Sequence, residues 1–542
     1  MEHSASKTGA TASASETKKV RSLWRPLRAP TFRNLLVADV VSDLGTFMQS
    51  VGAAWMMVSI HAGPLYVALT QTASTLPFFI LALPAGAIGD IVDRRKLILF
   101  TETWMACTAF VLTGITFAGR LTPILLLTLT FALSAGDAIE SPTWRAVLPE
   151  LVSKEDLASA TALNGIEFNF ARAIGPALAG LIIMLAGVGG TFLINAVSFL
   201  GVIWIIARWR RHPHHRTAPP ETLRGATAAA IRYVRYSPAL RSLLVRAGIV
   251  LFFGSALMAL LPSVSHFVSG SPVGYGLLLG GFGVGAVGGG LVMEQARARW
   301  SAEAVVTGAV FVFGMSIMAT GFLRTLVSLS AAMLMGGAAW IVFLSLFNVI
   351  ILNHTPEWVR ARVLAISMLV FQGAIAGGSA IWGALATRNG TFFALTCAGA
   401  GTMASITLGL FLKLPDATVD LTPWAHWRLP TVLKQEPAEA ESGPVLVVVE
   451  YEVEPEKESG FLGAIRRYER VRRRDGAYRW GIFHNLESPA LYMEVFLVVS
   501  WAEHLRQHER FTLADRKIEE RVHGCVRGEP RVRHFLYVEG KT

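Results

Sequence analysis

The chain has 542 residues, 53% of them hydrophobic and only 16% charged, with 50 glycines, 3 cysteines and a formal net charge of +11. A charged share so far below the usual ~25% argues against a soluble protein divided into polar-surfaced domains. The scattered Cys107, Cys397 and Cys525 offer no disulfide framework.

Residues 1–22 are rich in Ser, Ala, Thr and Lys and contain no apolar signal-peptide core, which predicts a disordered cytosolic arm over 1–30. Apolar blocks then recur almost without pause. A helix that crosses hydrocarbon needs about 20 mostly apolar residues. That length predicts spans at 33–60, 66–88, 97–118, 122–142, 163–186 and 190–207. A second set follows at 242–264, 274–293, 303–322, 326–352, 363–387 and 391–412. The expected fold is an all-α polytopic membrane protein with 12 transmembrane helices in two six-helix halves, 31–207 and 242–414, joined by a basic cytoplasmic connector, 208–241.

Loop charge predicts the orientation. Twenty-four lysines and arginines fall on the side that carries the turn "GAIGDIVDRRK" (86–96), against Arg120, Arg324 and Arg388 on the other. The positive-inside rule therefore places both termini in the cytoplasm. The same bias accounts for the net charge without nucleic acid as a partner.

A shift of 203 residues lays Gly86 on Gly289, Arg94 on Arg297 and Gly180 on Gly383, while Asp90 falls on Met293 and Asp93 on Ala296. Two related halves with a site between them is a transporter plan. The second copy of the charged turn is degenerate.

The pattern Gly86-x-x-x-Asp90-x-x-Asp93-Arg94-Arg95-Lys96 resembles the cytoplasmic motif between helices two and three of the major facilitator superfamily. The resemblance implies a glycine that admits a neighbouring helix and an aspartate–arginine relay that latches the cytoplasmic rim. Topology alone would explain the cations but neither aspartate. The stretches "SDLGTFMQSVGAAWMM" (42–57), "QTASTLPFFILALPAGAIGD" (71–90), "ALNGIEFNFARAIGPALAG" (162–180) and "IRYVRYSPALRSLL" (231–244) are similar to the transmembrane secretion effector, or enterobactin-exporter-like, branch. In helix five, Ala171-x-x-x-Gly175-Pro176-x-x-Ala179-Gly180 looks like the antiporter motif of drug exporters, with alanines at two of its glycine positions. Ordinary small-residue packing would look the same.

Ionisable groups inside a bilayer are costly and usually face a cavity or a partner. Asp39 and Asp43 lie four apart on one face of helix one. Asp43 and Arg172 fall nearest mid-depth and are the first candidates for proton coupling in the cavity, with Glu167, Asp137 and Asn164 beside them. Glu167 lies about 140° around its helix from Arg172, so these two are not expected to pair. Asp39, Glu102, Asp137 and Glu140 sit toward the cytoplasmic ends, where headgroup or loop pairing accounts for them.

After a polar linker, 415–443, the character changes. Strands near 445–453, 478–486, 491–500 and 531–539, with helices at 456–474 and 501–523, give the order βαββαβ of a ferredoxin-like unit over 444–542. This unit looks like the small dimeric α/β barrels, which makes a second copy of the chain a candidate partner. His504 and His508 have the spacing of two metal ligands. Without a third, a solvated or dimer-facing helix is the expectation.

No nucleophile triad, phosphate loop or Walker sequence appears. The expectation is a non-enzymatic, cofactor-free and metal-free, proton-coupled exporter of small molecules such as a siderophore, drug or secondary metabolite. It would sit in a bacterial cytoplasmic membrane, with the lipid bilayer, a proton and its cargo as partners. An importer of the same fold and a tethered enzyme or sensor seated in the tail remain alternatives.

Overall fold

In a computed structural model, the structure describes residues 23–209, 223–415, 419–424 and 443–537. Long helices follow one another: α1 Pro30–Ser59, α2 Gly63–Ile91, α3 Arg94–Phe117, α4 Pro123–Leu151 and α5 Leu157–Arg208. After the short α6, Leu223–Tyr236, come α7 Pro238–Ser269, α8 Pro272–Arg299, α9 Ala302–Phe322, α10 Leu326–Asn353, α11 Glu357–Asn389, α12 Thr391–Ala404 and a final turn α13, Leu408–Phe411.

Local chemistry sets the boundaries. Prolines stand in the first turn of α1, α2, α4, α7 and α8, where their missing N–H is one the helix cannot use. Thr122, Ser271, Ser301 and Thr325 accept a first-turn N–H through their side chains. Gly270 ends α7 with φ 59°, a left-handed cap that a side chain would strain.

Ten helices among the described residues are long and apolar enough to cross a membrane. One of them, Leu157–Arg208, has 52 residues and is bent at Gly187, whose φ is 72°. At 1.5 Å per residue its length would suffice for two passes. The chain kinks there without a loop, so the separate spans expected at 163–186 and 190–207 fall within one continuous element. Pro30–Ser59 is 30 residues long but is not among the ten. The basic connector also differs from expectation, since it contains the amphipathic α6.

Two groups of helices, α1–α5 and α7–α12, meet along α2 with α11 and α5 with α8. Their contacts favour the end away from the 86–96 turn. Leu65 N donates to Thr387 Oγ1 at 3.1 Å, and Thr72 Oγ1 donates to Ala376 O at 3.0 Å. Trp55 of α1 stacks on Tyr275 of α8 at 6.1 Å between centroids and meets His266 of α7 edge-on at 5.7 Å. Toward the other end, which we call the motif end, a Cβ on Gly165, Gly288 or Gly290 would meet nothing within 4 Å. The two groups are thus held together by polar and aromatic contacts at the far end.

The tail forms a four-stranded antiparallel sheet in the order β2-β3-β1-β4, from β1 Val445–Glu452, β2 Arg479–His484, β3 Leu491–Val498 and β4 Arg531–Leu536. Along β1 and β3 burial alternates, so Val445, Val447, Val449, Tyr492 and Phe496 face the helices. The helices are α14 Glu458–Asp475, α15 Trp501–Arg510 and α16 Leu513–His523. The single helix expected at 501–523 is broken because Phe511 is extended and Thr512 starts a new helix in a capping box with Asp515. Nor is α15 a solvated helix. His504, Gln507 and Arg510 are buried.

Candidate functional site

The charged turn consists of helix-end chemistry. Asp93 is the N-cap of α3 and accepts from Lys96 N at 3.1 Å. Arg95 donates to Ile206 O at 3.0 Å, in the last turn of α5, where that carbonyl also accepts from Trp209 N at 3.3 Å. Arg94 reaches α4, donating from Nη1 to Ala146 O at 2.7 Å and Glu150 Oε1 at 2.8 Å. The turn therefore ties α3, α4 and the end of α5 together within one group of helices. Glu150 is the partner that reading the sequence missed, since nothing in its spacing marks it. The side chain of Asp90 lies outside the described residues. A Cβ on Gly86 would meet nothing within 4 Å, whereas one on Gly89 would lie 2.7 Å from Thr143 Oγ1. The close approach of α2 to α4 is thus made at Gly89 rather than at the glycine that begins the motif.

In α5, small residues do admit neighbours. A Cβ on Gly175 would lie 2.7 Å from Phe47 Cβ of α1. One on Gly180 would lie 2.9 Å from Pro272 O of α8, and one on Gly276 would lie 2.8 Å from Pro176 O. Gly383, the counterpart of Gly180 under the 203-residue shift, holds the same kind of place: its Cβ would lie 2.5 Å from Ala68 Cβ of α2. Equivalent glycines therefore seat both contacts between the two groups of helices.

The acids of the first group converge. Asp43 of α1 hydrogen-bonds Glu167 of α5. Glu102 of α3 hydrogen-bonds Glu140 of α4, and Thr101 Oγ1 donates to Glu140 Oε2 at 2.5 Å. Asp39 stands between them and feels the charge of Asp43, Glu167 and Glu140. Asp137 is exposed and feels Asp43 and, with opposite sign, Arg145. Asn164 is half-buried and shares a small pocket with Asp39, Phe32 and Trp144.

Two expectations change here. Arg172 is exposed and makes no ion pair with Asp43, whose partner is Glu167, five residues before Arg172 on α5. Glu102 and Glu140 are not headgroup-facing; they are 5% and 7% exposed and lie against each other. A carboxyl–carboxyl hydrogen bond requires one proton, because two carboxylates can only accept. The arrangement is therefore a set of acids suited to binding protons.

In the tail, Glu503 is a hub. Its carboxylate accepts from Arg232 of α6 and Arg510, each at 2.8 Å, and from Arg506 at 3.2 Å. The Arg510 guanidinium lies 4.4 Å from the ring centroid of Trp358 at the start of α11, and Arg474 lies 5.3 Å from that of Tyr233 on α6. Tyr233 Oη donates to His354 O at 3.1 Å, which closes the seam on the α10–α11 turn. Despite its burial the Glu503 carboxyl is held below its usual range, by its bonds to Arg510 and the charge of Arg232. Burial, followed by His508 and His534, pushes His504 down to about 3. His504 and His508 place their Nε2 atoms 3.3 Å apart, and the ring of His534 of β4 lies tilted beside His504 at 4.8 Å between centroids. No group of three metal-ligating side chains that could hold an ion occurs among the described residues.

Comparison with known proteins agrees with this architecture. A family model described as "Transmembrane secretion effector" matches residues 21–542. The staphyloferrin A transporter of Staphylococcus aureus is 22% identical over 331 residues, covering 60% of this chain and 82% of its own. The multidrug efflux pump Tap of Mycobacterium tuberculosis is 26% identical over 419 residues, covering 72% and 97%. Among solved structures, an inward-facing, unoccupied bacterial homolog of the lysosomal transporter Spinster superposes with a TM-score of 0.55 at 13% identity, covering 72% of this chain and 96% of its own. The nucleoside transporter NupG gives 0.58 at 12%, covering 71% and 100%. These two likenesses concern the fold alone.

Proposed function

The chain belongs to the transmembrane secretion effector family of major facilitator transporters, and we propose that it is a proton-coupled exporter of small molecules in a bacterial cytoplasmic membrane. Counting α1 and dividing α5 at Gly187 gives twelve spans in two six-helix halves, with both termini and the motif end in the cytosol. The halves rock about the contacts seated by Gly180 and Gly383. The stacking of Trp55 on Tyr275 at the far side suits a conformation whose cavity opens toward the cytosol.

The observation that carries the reading is the Asp43–Glu167 pair. Among the described residues no cation pairs with Asp43, so the natural counterion for its charge is a proton. Cargo entering from the cytosol would displace that proton, and reopening on the far side would allow its return. The kinship with an efflux pump and a siderophore transporter favours export of a small organic molecule. The test is comparative metabolite profiling of the medium from cells with and without the gene, followed by uptake of the identified compound into inside-out vesicles. Uptake that is indifferent to the proton gradient would reject the coupling.

The tail supports a second, compatible role as a sensor. The order β2-β3-β1-β4 suits a ferredoxin-like unit, and its Glu503 engages α6. A ligand or second chain that moved the tail would pull on the α10–α11 turn. The sheet face turned away from the helices carries Leu446, Val448, Met493 and Val495, together with exposed Phe483 and Phe535. A second copy of the same face is the partner that would cover it.

A further inference from the structure

Glu102 and Glu140 face each other from α3 and α4, buried and hydrogen-bonded. Glu102 Oε2 is itself buried without a hydrogen-bond partner, and so is Glu167 Oε1 in the Asp43 pair. Each orphan oxygen belongs to a carboxyl–carboxyl contact, and a proton is what such a contact lacks when both members are written as acceptors. Two ionised carboxylates that close, away from water, would repel strongly, so the pair is stable with one proton between its members. The groups bearing on it do not relieve that repulsion. Asp39 from α1 and Asp137 from α4 are both acids. Glu167 of α5 acts on Asp39. From α2, which packs along α4, the one charged residue is Asp90, whose side chain lies outside the described residues. Thr101 fixes the orientation by donating to Glu140 Oε2.

We propose that Glu102 and Glu140 form a second proton-binding site of the first half, which holds one proton and is coupled through Asp39 to the Asp43–Glu167 pair. Discharge breaks the O–H bond of the protonated member, and the proton passes to water or to the Asp39 carboxylate, where a new O–H forms. The negative charge stays on the pair until a proton returns. The role in transport rests on the proton-coupled reading above; the bound proton itself does not.

The test is infrared difference spectroscopy of the purified full-length protein in lipid, reading carboxylic C=O bands that shift on deuteration. Wild type should show two classes of buried protonated carboxyl. Glu102→Gln and Glu140→Gln should each remove one class, and Asp43→Asn and Glu167→Gln the other. Thr101→Val should move the first band without abolishing it, which keeps the test open where a Gln variant does not fold. Spectra of Glu102→Gln, Glu140→Gln and Thr101→Val that all match wild type would overturn the proposal. A protein with the expected bands whose transport ignores the proton gradient would sink the coupling reading while upholding this site.

Discussion

Gly276 of α8 lies against Gly180 of α5 so closely that a Cβ on it would stand 3.3 Å from the Gly180 Cα and 2.8 Å from Pro176 O. Backbone rather than a movable side chain occupies that space. Overpacking of this kind costs about 1–3 kcal/mol. A penalty confined to the state closed at the far end shifts the balance of states by about 5-fold to about 150-fold. Gly276→Val should therefore hold the far end open and slow cycling. Spin labels at His61 and Ser271, in the far-end turns, should move apart; an unchanged distance distribution would count against this hinge.

The carboxylate pair in α1 and α5 predicts a separation of binding from coupling. Asp43→Asn and Glu167→Gln should each retain cargo binding and abolish accumulation driven by a proton gradient. Arg172→Ala should leave the coupling intact, because Arg172 does not pair with Asp43. Inside-out vesicles with the identified cargo provide the measurement. Gradient-driven accumulation by both acid variants at the wild-type rate would remove the pair from the mechanism.

Arg94 loses two acceptors on α4 when truncated. Arg94→Ala should leave Glu150, whose side chain is 13% exposed, without this partner. A hydrogen bond to a charged group is worth about 1.5–3 kcal/mol. The variant should insert normally but melt lower and transport more slowly, and Glu150→Gln should follow in the same direction. Arg297→Ala, at the exposed equivalent position, should be milder. Equal melting temperatures for Arg94→Ala and wild type would refute the fastening.

Docking of the tail should depend on charge and pH. Glu503→Arg should release the tail from α6, and the reciprocal pair Arg232→Glu with Glu503→Arg should restore part of the contact. Hydrogen exchange of α6 and the α10–α11 turn reports it. His504 is neutral when folded because its proton affinity is depressed to about 3. The unfolded imidazole takes a proton near pH ~6.5. The stability it contributes is therefore full above that value and is lost progressively as pH falls toward 3, by up to about 1.4 kcal/mol per pH unit. Protection factors in α15, corrected for the intrinsic exchange rate at each pH, should fall between pH 7 and 5 and should fall less in His504→Phe.

The outer sheet face predicts self-association of the full chain. Val448→Arg, at the centre of that face, should reduce dimers seen by mass photometry in detergent. A purely monomeric wild type across the micromolar range would exclude this contact.

Hydropathy and loop charge made the spans and the orientation argument legible in the sequence, and the resemblance to a drug-exporter motif marked the helix-five glycines. The reason is that a segment in lipid must satisfy its own backbone, which imposes length and apolarity locally. Strand alternation in the tail was equally local, and the four predicted strands lie where the sheet has them. The tertiary structure decided the partners. Whether Asp43 meets Arg172 or Glu167 depends on how α1 and α5 rotate about their axes, across more than 120 positions of chain. The same holds for Glu102 with Glu140, for Gly89 rather than Gly86 against Thr143, and for Arg232 with Glu503. No periodicity encodes such meetings. They are set by which helix faces pack once the bundle closes, and it is these contacts that turn a charged turn and scattered acids into a candidate mechanism.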